Sequence, residues 1–152
     1  RQEDRTALLN KPMESKTSDP VKKRILVVDD DQVVLKAMWL LLTKNGYRVL
    51  TAENGAEAIS ILGRDKPNLV LQDLDFPPDP ASALSDGFLT FEWARRFGIA
   101  FNVPFIILSS LDPAQYQKRA QAAGISTCFR KPVDEQQLLA AIRTSLGEQP
   151  TS

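Results

Sequence analysis

Ile25-Leu26-Val27-Val28-Asp29-Asp30-Asp31 sets four consecutive apolar residues against three consecutive carboxylates. A short apolar run without alternation suits a strand covered on both faces, as in a parallel sheet. The acids mark where that strand leaves the core. Four further runs of strand length follow, at Val49–Ala52, Leu69–Leu71, Phe105–Leu108 and Thr127–Phe129. Segments with helical spacing lie between them. Gln32–Asn45 puts Leu35, Met38 and Leu42 on one stripe, and Asn54-Gly55-Ala56-Glu57 is a capping box opening a helix to about Leu62. Gly87–Phe97 aligns Phe88, Phe91 and Ala94. Asp112-Pro113 opens a fourth helix, Pro113–Ala123, and Asp134-Glu135-Gln136-Gln137 caps a fifth that carries Leu138, Ile142 and Leu146. Five of the seven glycines, Gly46, Gly63, Gly98, Gly124 and Gly147, follow these helices, where a left-handed cap favours glycine.

Five strand–helix pairs in strict alternation imply right-handed crossovers and a doubly wound parallel α/β sheet with helices on both faces. The 152 residues suffice for one such domain, and 43% apolar with 25% charged residues fits a globular chain. Residues 1–21 are polar, broken by Pro12 and Pro20, and read as a tail or linker with one apolar patch at Ala7-Leu8-Leu9. The domain is expected over 22–148, and 149–152 form a C-terminal tail. Arg1 rather than Met opens the chain, so an upstream piece is expected to have been removed or left out.

Absent residue types narrow the chemistry. There is no histidine, which removes histidine-dependent triads, histidine zinc sites and histidine phosphotransfer within this chain. Cys128 is the single cysteine, so no intrachain disulfide forms. Lys+Arg and Asp+Glu both total 19, which offers no bulk field for nucleic acid or an anionic membrane. Without an apolar run of about 18 residues or a signal-peptide pattern, the expected location is the cytoplasm.

In doubly wound sheets ligands gather beyond the carboxyl ends of the strands. There the sequence sets Asp29, Asp30 and Asp31 after the first strand, and Asp73 and Asp75 after the third. Ser109 and Ser110 follow the fourth strand, and Lys131 the fifth. Singly, each has a bland account: aspartates cap helices, and Lys-Pro makes turns. Together they put at least three carboxylates, a hydroxyl and an ammonium on one rim. Clustered carboxylates repel unless a cation neutralises them, and a hard dication such as Mg²⁺ suits oxygen ligands. A carboxylate beside Mg²⁺ is a competent nucleophile toward phosphorus, and Asp73, after the buried run Leu69-Val70-Leu71-Gln72, is the best candidate.

On these residues the chain resembles the receiver domain of bacterial two-component response regulators. The matching stretches are Ile25–Asp31, Thr51-Ala52-Glu53-Asn54-Gly55, Pro67–Leu74, Pro104–Ser109 and Lys131-Pro132, within about Lys22 to Gly147. The resemblance implies a flavodoxin-like (βα)5 fold with strand order 2-1-3-4-5 and a cis Lys131–Pro132 bond. It implies Asp73 as phosphoacceptor and metal ligand, Asp29 and Asp30 as ligands of Mg²⁺ or Mn²⁺, Ser109 as switch hydroxyl and Lys131 as phosphate-pairing lysine. The donor would be a histidine kinase or histidine phosphotransfer protein, and the output a downstream effector or attached domain contacting the fourth helix, fifth strand and fifth helix. No direct nucleic-acid or membrane partner is implied, and a homodimer stays open.

The sequence departs from that family in three places. A ten-residue stretch, Phe76–Ser85, with three prolines, replaces the usual short connection after the acceptor. Cys128 takes the usual switch-aromatic position, with Phe129 next. Asp75 lies two residues after the acceptor, where its charge is expected to tune acyl-phosphate lifetime. Asp75, Ser110 and Cys128 are therefore modulatory candidates. Two other readings remain at this level: a Mg²⁺-dependent phosphohydrolase using Asp73-Leu74-Asp75, and a phosphorylation-independent adaptor. The chain could be a stand-alone regulator or one excised from a larger protein.

Overall fold

The computed structural model describes residues 21–74, 87–99, 102–125 and 127–148. The expected N-terminal tail up to residue 20, the inserted stretch 76–85 and the tail at 149–152 lie outside the described residues. The elements run β1 (Arg24–Val28), α1 (Gln32–Lys44), β2 (Arg48–Ala52), α2 (Gly55–Asp65), β3 (Leu69–Asp73), α3 (Gly87–Arg96), β4 (Phe105–Ser109), α4 (Gln117–Ala123), β5 (Thr127–Arg130) and α5 (Glu135–Ser145). All four strand pairings are parallel, in the order β2-β1-β3-β4-β5. The flavodoxin-like order expected from the resemblance is present.

Alternation along the strands divides the core in two. Ile25, Val27, Leu69, Leu71, Ile106 and Leu108 pack beneath α1 and α5, which contribute Leu35, Leu42, Leu138 and Ile142. Leu26, Val28, Val70 and Ile107 face α2, α3 and α4, and meet Leu62, Phe88, Phe91 and Ala120. Each large side chain buried this way contributes about 2 kcal/mol of transfer free energy. Burial on both faces holds for β1, β3 and β4. The outer strands β2 and β5 are only partly buried, because each has a neighbour on one side alone. Trp39 and Trp93 are 46% and 38% exposed. Trp93 packs at the edge, on Phe97 with ring centroids 4.5 Å apart.

Local signals act as expected at most helix ends. Asp31, Asn54 and Asp134 accept hydrogen bonds from the amides of Val33, Glu57 and Gln137. Gly46, Gly98, Gly124 and Gly147 take positive φ just past their helices. Gly63 does not: it lies inside α2, which runs on to Asp65. The left-handed residue there is Lys66, at φ 47°. The following Pro67 disfavours helical backbone at Lys66, and Arg24 takes the role of a cap by donating to the carbonyls of Asp65 (3.0 Å) and Lys66 (2.8 Å).

The fourth helical segment also differs from expectation. Asp112 and Pro113 open a 3-10 turn, Pro113–Gln115, and α4 proper begins only at Gln117. The break lets Tyr116 bury its ring, with a centroid 6.3 Å from that of Phe88. No helix among the described residues is long and apolar enough to cross a membrane.

Lys66→Gly is expected to raise stability by about 0.5–1 kcal/mol in urea denaturation, since glycine relieves the left-handed backbone and leaves the Arg24 contacts in place. Ile142→Ala, by contrast, is expected to cost about 3 kcal/mol.

Candidate functional site

The strand order reverses between β1 and β3, which opens a crevice at their carboxyl ends. Asp29 follows β1 and Asp73 closes β3, and both side chains are buried. Asp30, next to Asp29, is exposed at the rim. One carboxylate oxygen from each of Asp29, Asp30 and Asp73 lies within 4.8 Å of the other two. Lys131 reaches in from the end of β5. Its Nζ stands 2.8 Å from Asp73 Oδ1 and 3.6 Å from Asp29 Oδ2.

The backbone fixes this cluster. The Asp29 amide donates to the Ala52 carbonyl at 3.0 Å, and the Leu74 amide to the Leu108 carbonyl at 2.9 Å. The Lys131 amide donates to the Ser109 carbonyl at 2.8 Å. Each strand exit is thus tied to the neighbouring strand. The Lys131–Pro132 bond is cis.

Burial pushes the Asp29 carboxyl up to about 6, and the nearby charge of Asp73 adds to the rise. The Asp31 amide, donating to Asp29 Oδ1 at 2.9 Å, and the Lys131 charge oppose it. When all three acids ionise, three negative charges face one ammonium. The donor set is all oxygen, which fits a hard dication. One oxygen from each of the three acids lies within 4.8 Å of the other two, so Asp29, Asp30 and Asp73 would hold such an ion together. Asp31, by contrast, is committed to capping α1.

Ser109 ends β4 and is buried; its Oγ accepts from the Leu111 amide at 3.0 Å. Ser110 is exposed beside it. Cys128 lies apart from the acids: it is half-buried on β5 against the α2–α3–α4 side of the core. It lines a cavity of about 480 Å³ with Pro113, Tyr116, Ala120 and Ile125. Burial raises its thiol pKa, which agrees with a packing role over a reactive one. Asp75 lies outside the described residues. In the sequence Gln72 stands out only as part of a buried run. It is in fact a fully buried amide against the backbone of Asp73, and the signal was a lone polar residue in an apolar strand.

Residues 25–143 match the family model of the response regulator receiver domain. Over 124 residues, 82% of this chain, the sequence is 35% identical to transcriptional regulatory protein GlrR of Escherichia coli, covering 26% of that protein. It is 30% identical to protein PilH of Pseudomonas aeruginosa over a stretch that takes in 82% of this chain and 98% of PilH. The chain therefore spans about a quarter of one relative and nearly all of the other. Among solved structures, a CheY-like receiver domain protein from Methanospirillum hungatei superposes with a TM-score of 0.74 at 26% identity, covering 84% of this chain and 95% of that one. Chemotaxis protein CheY4 of Vibrio cholerae gives 0.74 at 21% identity, covering 83% and 100%. With that fold, that strand order and a family match across most of its length, the chain belongs to the response regulator receiver domain family.

Proposed function

We propose that residues 22–148 form a regulatory domain in which Asp73 accepts a phosphoryl group from a phosphohistidine on a partner protein, a histidine kinase or a histidine phosphotransfer protein. The observation that carries this reading is the Asp73 carboxylate, buried at the switch point, 2.8 Å from the Lys131 ammonium and grouped with Asp29 and Asp30. An Asp73 oxygen attacks phosphorus, the phosphorus–nitrogen bond breaks, and its electron pair returns to the donor imidazole, which takes a proton from water. Lys131 neutralises one phosphoryl oxygen, and the Ser109 hydroxyl turns toward another. Asp29, Asp30 and Asp73 would hold Mg²⁺ or Mn²⁺, which supplies further charge neutralisation on the phosphoryl oxygens.

The output follows from what Ser109 and Lys131 share. Their backbones are bonded, so a pull on either is felt where β4 leads toward α4 and where β5 ends. The partner surface of this reading is α4, β5 and α5, and the cavity of about 480 Å³ lies between the first two of these. A phosphoryl group on Asp73 biases that surface between two arrangements. A chemistry of carboxylates, one ammonium and an external phosphodonor fits a cytoplasmic regulator. Asp75 and Cys128 tune acyl-phosphate lifetime and packing beneath the output surface.

Incubation with Mg²⁺ and acetyl phosphate, followed by intact-mass measurement, is expected to add one phosphate to the wild type and none to Asp73→Asn. Continuous turnover of acetyl phosphate without a stoichiometric adduct would instead support a hydrolase. Lys131→Met is expected to slow phosphate uptake by about 10- to 100-fold.

The charge cluster also predicts a pH signature. The Asp29 carboxyl is raised, so its protonated form is favoured in the fold. Its contribution to stability is therefore complete below the ordinary value of 3.8 and is lost as pH rises through about 6. In differential scanning calorimetry the Tm gain from added Mg²⁺ is expected to be larger at pH 7 than at pH 5, because Asp29 must lose its proton to act as a ligand. Asp29→Asn is expected to raise the metal-free Tm at pH 7 and to abolish most of the Mg²⁺ gain.

A further inference from the structure

Gln72 precedes Asp73 in a strand that is otherwise apolar from Leu69 to Leu71, and its side chain is fully buried. Its sheet neighbours are Val28 and Ile107, both part of the core beneath α2, α3 and α4. Gln72 Nε2 donates to the Asp73 carbonyl at 3.1 Å. The orientation of the amide is fixed by that contact, since the reverse would set oxygen against oxygen. Among the described residues nothing donates to Gln72 Oε1. A buried amide with an unsatisfied oxygen is less favourable than an apolar side chain of the same size, so stability alone does not account for glutamine here.

What the amide holds is one peptide unit. The peptide between Asp73 and Leu74 is gripped at both ends: its carbonyl accepts from Gln72 Nε2, and its N–H donates to the Leu108 carbonyl at 2.9 Å. That plane sets the backbone of Asp73 and the departure of the chain from β3. A carboxylate attacking phosphorus in line tolerates little misplacement.

We propose that Gln72 is a positioning residue for phosphoryl transfer: by locking the peptide after the acceptor, it keeps the Asp73 carboxylate aimed at Lys131 and the incoming phosphorus. This rests on the phosphoacceptor reading and adds a residue that acts through Asp73 without touching the phosphoryl group. Gln72→Met keeps length and bulk but removes both polar atoms, and Gln72→Asn keeps an amide too short to reach the carbonyl.

The test compares wild type with both variants by three measurements: phosphate uptake from acetyl phosphate with Mg²⁺, the Mg²⁺ dissociation constant, and the thermal midpoint. Gln72→Met is expected to melt at or above the wild-type temperature and to bind Mg²⁺ within about twofold, yet to take up phosphate about tenfold more slowly. Gln72→Asn, even if less stable, is expected to be slowed alike. A wild-type uptake rate in either folded variant overturns the inference and leaves the acceptor reading intact. A loss of Mg²⁺ binding in step with the rate overturns it too, since the disturbance is then general. Failure of the wild type itself to take phosphate overturns the acceptor reading and this inference with it.

Discussion

Three carboxylates share a crevice with one ammonium, and two of the three, Asp29 and Asp73, are removed from water. Exposed acids at such spacing would lose most of their repulsion to solvent screening, but buried ones keep it. Burial raises the Asp29 carboxyl, and the charge of Asp73 adds to the rise. Lys131 relieves part of it, from 2.8 Å on one side and 3.6 Å on the other. A surplus of negative charge remains, so the crevice favours whatever brings positive charge to oxygen ligands. An isolated fold would gain by replacing these groups with apolar ones, and their retention therefore points to chemistry over stability.

The sheet makes such a cluster tenable. β1, β3 and β4 are locked by burial on both faces, and the amides of Asp29, Leu74 and Lys131 each bond a carbonyl on an adjacent strand. The acidic and basic side chains thus leave the core from backbone that cannot drift. Preorganisation of this kind lets charges act at short range without reorganising when a ligand arrives. The same parallel topology dictates the location, because successive crossovers from β1 run to opposite sides and open the rim only between β1 and β3.

The legible parts of the sequence were those written in local physics. Apolar runs marked all five strands, and the caps at Asp31, Asn54 and Asp134 read correctly because a side-chain oxygen three residues or fewer from its amide needs no tertiary help. The acids of the site were visible for a related reason: each stands at the end of an apolar run. Where expectation and structure parted, a distant residue had intervened. Gly63 looked like a cap, but Arg24, 41 residues from Asp65, holds the end of α2 and lets the helix continue. Pro113–Ala123 looked like one helix, but the pull of the core on Tyr116 splits it. Gln72 is legible as polar in an apolar strand, but which carbonyl its amide serves depends on how β3 is buried in the sheet.

The helices are unequally anchored, and this bears on how a rim of fixed charges could be read from outside. α5 buries Leu138, Leu139 and Ile142, and α1 buries Leu35 and Leu42, so displacing either would expose large side chains. α4 has seven residues and buries only Ala120, with Tyr116 holding its start. A short helix with so little buried surface opens or shifts at low cost compared with its neighbours. Beneath it Cys128 and Tyr116 line the same cavity, between α4 and β5. Ser109 lies at the junction, ending the strand that leads toward α4 and accepting through its carbonyl the amide of Lys131. A rigid rim joined to the least anchored helix by one strand end is the arrangement in which a local change of charge moves a surface without disturbing the sheet.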